Sequence, residues 1–260
     1  MAIGHEVLAP ARSEMDLGSA VQVNTFLREA QPEGLVHLAW TTEHGVYWNC
    51  PSNLDWVARS LNLITAFRTY GGQRLFVAGT SAEYDWSKSG NHREEETLKP
   101  QKLYGICKDS LRRILQAWCA EVDLSFAWGR IFCPFGSGED ERRLLPRMIR
   151  DLRERGRIDF EGGSEMRDFL HVEDLGEAVA AVFDSEVCGS VNLASGVPIS
   201  ISDFVKILAE VAGGKVCFAT TESGDPSVPC ITADVSRLRD EVGWSPRVDW
   251  IDRLRQTWNQ

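Results

Sequence analysis

Leu103-Tyr104-Gly105-Ile106-Cys107-Lys108 is the most informative segment of this sequence. Tyr104 and Lys108 are four residues apart, so on a helix they lie on one face, one turn from each other. A tyrosine hydroxyl with its ordinary pKa near ~10 is a poor base at neutral pH, but an adjacent ammonium group favours the phenolate and lowers that pKa. We therefore predict that the pair moves a proton on or off a substrate hydroxyl. A solvated helix face is the alternative, because both residue types are common on helix surfaces.

A second segment favours the catalytic interpretation. Residues 74–84, RLFVAGTSAEY, begin as an apolar run and end in glycine and hydroxyl side chains. Buried parallel strands have this composition and carry their functional groups at the carboxyl end. A strand that ends at Thr80 and Ser81, followed by a loop and by a helix with Tyr104 and Lys108, is a much rarer combination than the pair alone.

With both segments in place, the chain resembles the extended short-chain dehydrogenase/reductase family, in particular its NAD-dependent epimerase/dehydratase group, which acts on nucleotide sugars. Residues 166–175, MRDFLHVEDL, are similar to a signature of the sugar-nucleotide branch. The similarity extends from residue 5 to about residue 255. It implies an α/β fold, with a Rossmann-like, doubly wound parallel sheet and a smaller C-terminal α/β substrate cap.

The resemblance also implies how the chain is divided. Residues 1–135 would form a dinucleotide-binding core, to which segments at about 165–200 return. Residues at about 136–164 and 200–260 would form the substrate-binding cap.

The amino-terminal segment departs from the family. Residues 5–12 are predicted to form a short strand, which resembles the second strand of the family's sheet. The first strand, glycine-rich turn and helix that precede it in the family have no counterpart, and neither G-x-G-x-x-G nor G-x-x-G-x-x-G occurs in the chain. That turn lets the backbone approach the cofactor pyrophosphate. We expect a misplaced start or a truncated reading frame, rather than a fold that binds the cofactor by other means.

The resemblance implies NAD or NADP as the cofactor. No acidic residue at the end of the predicted strand 5–12 could hold a ribose 2′-hydroxyl, and Arg12 stands near there instead, which favours the 2′-phosphate of NADP. An exposed loop arginine is the alternative. The implied cofactor contacts are Arg12, Asp16, Leu17, Leu38, Ala39, Phe132 and the pair Tyr104 and Lys108. His37, inside an apolar run, is predicted to be a core histidine.

Arginines supply the predicted substrate contacts. Seven of them fall between residues 142 and 157, and such a basic cluster suits a pyrophosphate. Interspersed acidic residues equally allow a helix face laced with salt bridges. The candidates for substrate contact are Arg143 in this cluster and, by resemblance, Arg167 and Arg237. Asp174 is predicted to cap the helix that follows it.

In the chemistry that the resemblance implies, Tyr104 takes the proton of a sugar hydroxyl while hydride moves to the nicotinamide. Lys108 holds the ribose and lowers the pKa of the tyrosine. Thr80 hydrogen-bonds the same sugar oxygen, and Ser81 is a second candidate for that role. The transient carbonyl is then processed differently by epimerases, dehydratases and reductases.

Dehydratases of the group carry an Asp-Glu pair directly after the strand-end threonine. Here those positions are Ser81 and Ala82, which supply no acid, and strand alternation directs Glu83 elsewhere. An epimerase or a ketosugar reductase is therefore favoured over a 4,6-dehydratase. The alternative is a truncated, catalytically impaired homologue, or a nucleotide-sugar-binding protein without redox chemistry.

Composition argues against several other classes of protein. The 260 residues carry a formal net charge of −10, which disfavours nucleic-acid binding, and no apolar run is long enough to span a bilayer. The amino terminus has no basic segment followed by an apolar core, so no signal peptide is predicted. The seven cysteines include no C-x-x-C pair and are expected to be reduced, with no metal site, in a cytoplasmic protein. The family resemblance is compatible with a homodimer.

Overall fold

A computed structural model of the chain describes residues 4–218 and 230–260. The helices are α1 (Ala20–Ala30), α2 (Ser52–Thr69), α3 (Leu103–Glu121), α4 (Leu144–Arg155), α5 (Val172–Asp184), α6 (Ile201–Val211), α7 (Ser236–Asp240) and α8 (Trp250–Asn259). The strands are β1 (Gly34–His37), β2 (Arg74–Thr80), β3 (Gly90–His92), β4 (Ser125–Ile131), β5 (Cys133–Phe135), β6 (Arg157–Phe160), β7 (Met166–His171), β8 (Gly189–Leu193), β9 (Pro198–Ser200), β10 (Lys215–Phe218) and β11 (Ile231–Ala233). None of the helices in these described ranges is both long and apolar enough to cross a bilayer.

Four parallel strands form the main sheet, in the order β1-β2-β4-β8. The pairing of β2 with β4 runs from Arg74 opposite Ser125 to Thr80 opposite Ile131. These interior strands are buried along almost their whole length, which explains the nearly continuous apolar composition of 74–80. Their carboxyl ends form the edge of the sheet at which the candidate functional groups lie.

Helices cover both faces of this sheet, because side chains alternate between the two faces along each strand. Leu75 and Val77 of β2 pack in one apolar cluster with α1, α2 and α3. Phe76, between them, packs in a second cluster with α5 and β8. The fold is therefore a doubly wound α/β fold, as the sequence predicted.

The remaining strands build a second region. β7 lies between β11 and β5 and pairs antiparallel with β9, while β3 pairs with β11 and β6 pairs with β10. A third apolar cluster joins α4, α6 and α8 around the fully buried Phe204, which stacks on Phe169 at a ring-centroid distance of 4.3 Å. The predicted division into core and cap stays a prediction.

The predicted strand over residues 5–12 is wrong, because the segment is irregular and leads into a turn. Val7 and Leu8 are 79% and 53% exposed. In the described part of the chain, β1 at the edge of the main sheet pairs only with β2. An apolar pattern that finds neither a strand to pair with nor a face to bury does not form a strand.

The helix α5 is capped by His171, not by Asp174 as predicted. The His171 ring accepts a hydrogen bond from the backbone N–H of Glu173 at 3.3 Å, whereas Asp174 lies inside the first turn. Its carboxylate accepts a hydrogen bond from Nε of Arg253 in α8, with an Oδ2–Nε distance of 3.0 Å. Asp174 therefore fastens α8 to the amino end of α5.

Candidate active site

The carboxyl end of β2 is shaped to receive the first turn of α3. After β2 the chain makes one 3-10 turn, in which the Thr80 hydroxyl accepts a hydrogen bond from the N–H of Ala82, and the Glu83 carboxylate accepts one from the N–H of Thr80. A Cβ atom at Gly105 would lie 2.4 Å from the carbonyl oxygen of Ala82. Glycine at this position therefore lets α3 approach the turn closely and places Tyr104 beside Thr80.

Tyr104 is 8% exposed, and its hydroxyl is hydrogen-bonded to the Thr80 side chain. Burial raises the pKa of Tyr104 well above its ordinary value, while the hydrogen bond to Thr80 acts in the opposite direction. The expectation that Lys108 lowers this pKa is wrong for this arrangement, because desolvation of the phenolate is the larger effect. Tyr104 is a protonated phenol at neutral pH and is suited to donate a proton.

Lys108 is 3% exposed. Its Nζ donates a hydrogen bond to the carbonyl oxygen of Ala78 at 2.7 Å and lies 3.9 Å from the centre of the Trp40 ring. Burial lowers the pKa of Lys108 to about 7, although the charge of Glu83 acts to raise it. The protonation of this buried amine is therefore balanced close to neutral pH.

Three aromatic side chains, which we call the aromatic cage, surround the Tyr104 ring: Trp40, Tyr47 and Trp48. All three meet that ring edge to face, with ring-centroid distances of 6.4, 4.9 and 5.9 Å respectively. The cage was not predicted from the sequence, although the aromatic composition of the loop after β1 is a signal for it. The cage contributes to the burial that raises the pKa of Tyr104.

A buried asparagine fixes the cage. The side-chain oxygen of Asn53 accepts a hydrogen bond from Nε1 of Trp40 at 2.9 Å, and its Nδ2 donates to the carbonyl oxygens of Tyr47 (2.7 Å) and Cys50 (2.8 Å). Trp40 also stacks on Trp56, with ring centroids 6.0 Å apart. Asn53, at the start of α2, thus holds both Trp40 and the loop that carries the other two cage residues.

A pocket of about 320 Å³ adjoins the cage through Trp48. Its lining residues are Gly45, Trp48, Asn49, Ala82, Tyr84, Trp86, Gln101 and Lys102. Trp86 meets Trp48 edge to face at 5.7 Å, and its Nε1 donates a hydrogen bond to the carbonyl oxygen of Ser81 at 2.8 Å. Concave sites with aromatic walls and a few polar groups are typical of small-molecule binding. The pocket is the candidate site for a substrate ring.

A buried ion pair lies beneath the site. Glu83 and Arg130 are 0% and 1% exposed. Oε2 of Glu83 accepts a hydrogen bond from Nε of Arg130, and Oε1 accepts one from Nε1 of Trp128, both at 2.9 Å. Arg130 also donates to the Tyr84 hydroxyl at 3.1 Å, and that hydroxyl donates to Asn192 at 2.7 Å. The Glu83 carboxylate is therefore engaged with the sheet, in agreement with the predicted orientation away from the substrate.

Four of the predicted cofactor contacts lie in two separate segments: Arg12 and Asp16 precede α1, and Leu38 and Ala39 directly follow β1. Leu38 and Ala39 are exposed. Asp16 accepts hydrogen bonds from the N–H of Gly18 at 2.8 Å and from Nε of Arg12 at 3.4 Å. The Arg12 side chain is otherwise open to solvent, with 83% of its surface exposed.

Two further predicted cofactor contacts are less accessible. Leu17 is half-buried and packs against the apolar cluster of α1, α2 and α3. Phe132 is buried, with its ring centroid 6.0 Å from that of Tyr84. The cofactor roles of both groups of residues stay predictions.

Two of the three arginines predicted to contact substrate have different surroundings. Arg143 immediately precedes α4, is half-buried, and its positive charge acts to lower the pKa of Tyr104 and of Tyr47, so it lies on the site's side of the molecule. Arg167 lies in β7, and its Nη1 donates a hydrogen bond to the carbonyl oxygen of Met166 at 2.9 Å. Their substrate roles stay predictions.

The structure does not bring Arg237 to this site. Its guanidinium donates to the carbonyl oxygens of Cys188 (2.8 Å) and Ser190, and its Nε lies 3.0 Å from the Glu241 carboxylate. β8 is an edge strand of the main sheet, and its register places Ser190 opposite Trp128, which lies opposite Val77 in the middle of β2. Arg237 therefore has structural partners on this edge strand, and its phosphate contact stays a prediction.

Other arginines of the basic cluster form ion pairs with nearby acidic residues. Arg142 is 2.6 Å from Asp140, and Arg155 pairs with Asp151. These ion pairs agree with the alternative interpretation of the cluster, in which its arginines form salt bridges with neighbouring acidic residues.

The described residues form neither a cluster of metal-binding side chains nor a disulfide bond. The described residues contain no group of three or more His, Cys, Asp or Glu side chains that could hold a metal ion. All seven cysteines are free thiols.

A family model for the "NAD dependent epimerase/dehydratase family" matches residues 1–194. The chain is 26% identical to the putative GDP-L-fucose synthase 2 of Arabidopsis thaliana, over 95% of this chain and 80% of that protein. It is also 26% identical to a UDP-glucose 4-epimerase of Corynebacterium glutamicum, over 94% and 80%. With a dTDP-glucose 4,6-dehydratase of Streptomyces griseus it shares 28% identity, over 75% of this chain and 60% of the relative.

Solved structures resemble the fold at low sequence identity. The UDP-glucose 4-epimerase of Thermotoga maritima, solved with UDP-glucose, gives a TM-score of 0.81 at 19% identity, over 99% of this chain and 87% of that chain. RMD from Pseudomonas aeruginosa, complexed with NADPH, gives 0.80 at 20% identity, over 99% and 92%. The likeness concerns the fold, which is Rossmann-like.

Proposed function

The chain belongs to the NAD dependent epimerase/dehydratase family, and on this premise we propose that it acts as an NAD(P)-dependent epimerase or ketosugar reductase on a nucleotide-activated sugar. The observation that carries the proposal is the arrangement at the carboxyl end of β2. There the Tyr104 hydroxyl is hydrogen-bonded to Thr80, and Lys108 lies one helical turn further along α3. These are the groups that proton transfer at a sugar hydroxyl requires.

The choice against a dehydratase rests on three consecutive residues. Ser81 and Ala82 are both buried and supply no carboxylate. Glu83 does carry one, but it accepts hydrogen bonds from the N–H of Thr80 and from the side chains of Trp128 and Arg130. No acid of this turn is therefore placed to eliminate water from a sugar.

The residues at this edge of the sheet fit one end of a dinucleotide. Leu38 and Ala39 offer an exposed surface beside the catalytic pair, and a buried lysine with two further N–H donors can hold ribose hydroxyls. Asp16 and Arg12 would face the adenosine end, where the exposed guanidinium favours NADP. When bound, the cofactor supplies hydride acceptance and donation at the sugar carbon.

The proton step belongs to Tyr104. The phenol is protonated at neutral pH even with its ordinary pKa, and burial raises that pKa further. It can donate to a sugar oxygen that carries developing negative charge. The Thr80 hydroxyl, already bonded to the phenol, would hold the same oxygen, and the buried Ser81 is the second candidate. Donation leaves a phenolate and proton uptake begins from one, so both directions of the reaction require the pKa of Tyr104 to fall in the occupied site.

The pocket beside the cage is the proposed sugar site. Trp48 and Trp86 give it two indole walls, and Lys102 is its charged lining residue. Arg143 and Arg167 remain the proposed contacts to the diphosphate. Guanidinium groups suit this task because they bind phosphate oxygens in a bidentate manner.

A second candidate function is nucleotide-sugar binding without redox chemistry. One observation favours it: the Trp40 ring lies against Lys108, where a ribose would have to bind. A protein of this kind would bind the nucleotide sugar through the pocket and the arginines, with no response to NAD(P).

We also propose a homodimer. α2 and α3 present exposed apolar side chains, namely Leu54, Ile106 and Ile114. Apolar residues on two adjacent helices suit a helix-to-helix interface. Light scattering coupled to size exclusion would give twice the chain mass, and Ile106→Asp would reduce it to a single chain; a monomeric mass for the unaltered chain rules the dimer out.

Calorimetric titration of the 260-residue chain with NAD(H) and NADP(H) tests the proposed function. Binding of either cofactor supports the oxidoreductase, and tighter NADP(H) binding supports the role of Arg12. A folded chain that binds UDP-sugars but neither dinucleotide would instead support the second candidate. Conversion of the bound sugar nucleotide, followed by NMR, then distinguishes an epimerase from a reductase.

A further inference from the structure

Trp40 makes a contact that the proposed chemistry does not use. Its ring centre lies 3.9 Å from Nζ of Lys108. The other contact of this amine is the carbonyl oxygen of Ala78, at 2.7 Å. A cation this close to the face of an indole is in van der Waals contact with it, so no ligand oxygen fits between the two groups.

The indole reaches Lys108 from the segment that carries the proposed cofactor surface. Trp40 follows Leu38 and Ala39, which are exposed just beyond β1, and Trp40 itself is half-buried. One hydrogen bond to Asn53 and stacking on Trp56 hold the ring. Because Trp40 lies beyond the paired residues of β1, its side chain can rotate without breaking the hydrogen bonds of the sheet.

We propose that Trp40 is a positioning residue for Lys108: its indole shields the ammonium in the arrangement seen here, and must leave that place before a ribose hydroxyl of a dinucleotide can reach Nζ. The inference rests on the proposed function, because the hydroxyls that would replace the ring are those of the proposed cofactor. It predicts that Trp40 opposes cofactor binding while it keeps the amine dehydrated.

The titratable groups near Lys108 are either neutral or paired with another charge, so the indole is a major part of its environment. Glu83 approaches from the turn after β2, but Arg130 neutralises it at 2.9 Å. His37 of β1 is neutral, because burial and the charge of Lys108 lower its pKa to about 3. Tyr104, on the same helix, is a protonated phenol. Among the described residues, the carbonyl oxygen of Ala78 therefore replaces one water on Nζ, and the indole takes the place of others without offering a hydrogen-bond acceptor.

The first test measures the titration of Lys108 by NMR of lysine labelled with ¹³C and ¹⁵N, with the signal assigned through Lys108→Arg. Trp40→Ala should raise the pKa of Lys108 by at least about one unit towards its ordinary value of ~10.4. Trp40→Phe should keep the titration of the unaltered chain, because a ring still covers the amine. Trp48→Ala, which removes an indole from the same cage away from Lys108, is the matched control and should also leave it unchanged.

If Trp40→Ala leaves the titration of Lys108 unchanged, the backbone of β2 and not the indole dehydrates the amine, and the proposal is overturned. The same holds if Trp48→Ala produces an equal shift, because the effect would then be a general loosening of the cage.

The second test follows the ring itself. In protein labelled with 5-fluorotryptophan, the Trp40 resonance is assigned through Trp40→Phe and observed while NADH or NADPH is added. Cofactor binding should shift this resonance and leave that of Trp118, on the far part of α3, in place. Trp40→Ala should bind the cofactor about tenfold more tightly, because the cost of displacing the ring is removed.

Cofactor binding with no change at Trp40, or weaker binding by Trp40→Ala, would overturn the proposal and make the indole part of the binding surface. If neither the unaltered chain nor any variant binds a dinucleotide, the proposed function fails. The shielding of Lys108 by Trp40 is then decided by the lysine titration alone.

Discussion

Two buried tyrosine–cation pairs lie at the same edge of the main sheet, and they differ in how completely they are bonded. In the first, Arg130 lies over the Tyr84 ring and donates to its hydroxyl at 3.1 Å, and that hydroxyl donates to Asn192 at 2.7 Å. In the second, Lys108 and Tyr104 share a helix face, and each makes a single side-chain hydrogen bond to the end of β2.

The difference distinguishes a structural pair from the pair that we propose to be functional. Burial raises the pKa of Tyr84, and contacts with Glu83 raise that of Arg130, so both groups keep fixed protonation states at all ordinary pH values. Lys108, with a pKa lowered to about 7, is balanced between two states. A ligand can accept hydrogen bonds from the remaining N–H donors of Lys108 and can exchange its labile proton. Groups whose pKa is perturbed in this way mark candidate functional sites.

The largest expected effect comes from removing the hydroxyl of the second pair. Tyr104→Phe should lower turnover of the nucleotide sugar by about 10²–10⁴-fold, because the proton-transfer group is lost. The free energy of unfolding should change by less than about 1 kcal/mol, because only one hydrogen bond disappears. Steady-state kinetics and urea unfolding measure the two quantities.

Tyr70→Phe is the matched control for that variant, because Tyr70 donates to Asn24 at 3.3 Å, away from the site. It should retain turnover. Near-normal turnover in Tyr104→Phe would refute the proposed proton transfer and remove the distinction between the two pairs.

Opening the first pair should instead destabilise the protein. Arg130→Met removes the closest cation from the fully buried Glu83 and leaves Arg112 at 3.9 Å, and removal of one member of a buried ion pair costs about 3–5 kcal/mol. Urea unfolding should show this loss. The double variant with Glu83→Gln should recover part of it, because no uncompensated charge remains. A loss below about 1 kcal/mol in Arg130→Met would mean that the pair contributes no rigidity to the sheet edge.

The second pair was predictable from the sequence, because the signals that define it are local. A spacing of four residues sets a shared helix face, and an apolar run that ends in hydroxyl residues sets a strand end. These rules placed Tyr104 and Lys108 on one helix face and Thr80 at a strand end, whereas the class of the fold came from the family resemblance that the two segments support. They gave the wrong sign for the pKa of Tyr104, because burial depends on residues that are distant in sequence.

The contacts that the sequence did not predict are non-local. Trp40 reaches Lys108 across 68 positions, and the link through Asn53 depends on where α2 begins. The failed strand at 5–12 has the same origin: a strand needs a partner, and a pattern within one segment does not supply it. Arg237 was assigned by a motif position, and the sequence did not predict its contacts with the carbonyl oxygens of Cys188 and Ser190 at the edge strand β8.

A milder change tests the first pair without removing a charge. Tyr84→Phe deprives Arg130 and Asn192 of a buried hydroxyl partner, and an unsatisfied buried polar group costs about 1–3 kcal/mol. The free energy of unfolding should fall by that amount, whereas Tyr70→Phe should change it by less. Equal effects of the two variants would indicate that the Tyr84 network is not tighter than an ordinary surface hydrogen bond.

The smallest expected effect is a pH dependence that belongs to the second pair. Folding lowers the pKa of Lys108 to about 7, from an ordinary value of ~10.4 in the unfolded chain. Below pH 7 the folded protein carries the whole penalty of this shift. Between pH 7 and about 10.4 the unfolded chain binds more protons than the folded one, so the contribution of Lys108 to stability becomes less unfavourable as the pH rises.

Lys108→Met has no proton to lose at this position, so the comparison isolates the effect. Relative to this variant, the unaltered chain should gain about 2 kcal/mol in the free energy of unfolding between pH 7 and pH 9, measured by urea unfolding at each pH. Lys215→Met, which removes an exposed lysine, is the control and should show no such gain. A relative stability that falls with pH would mean that the folded protein stabilises the charged form of Lys108. Lys108 would then resemble Arg130, whose charged form is also stabilised, and the two pairs would differ only in their hydrogen-bond partners.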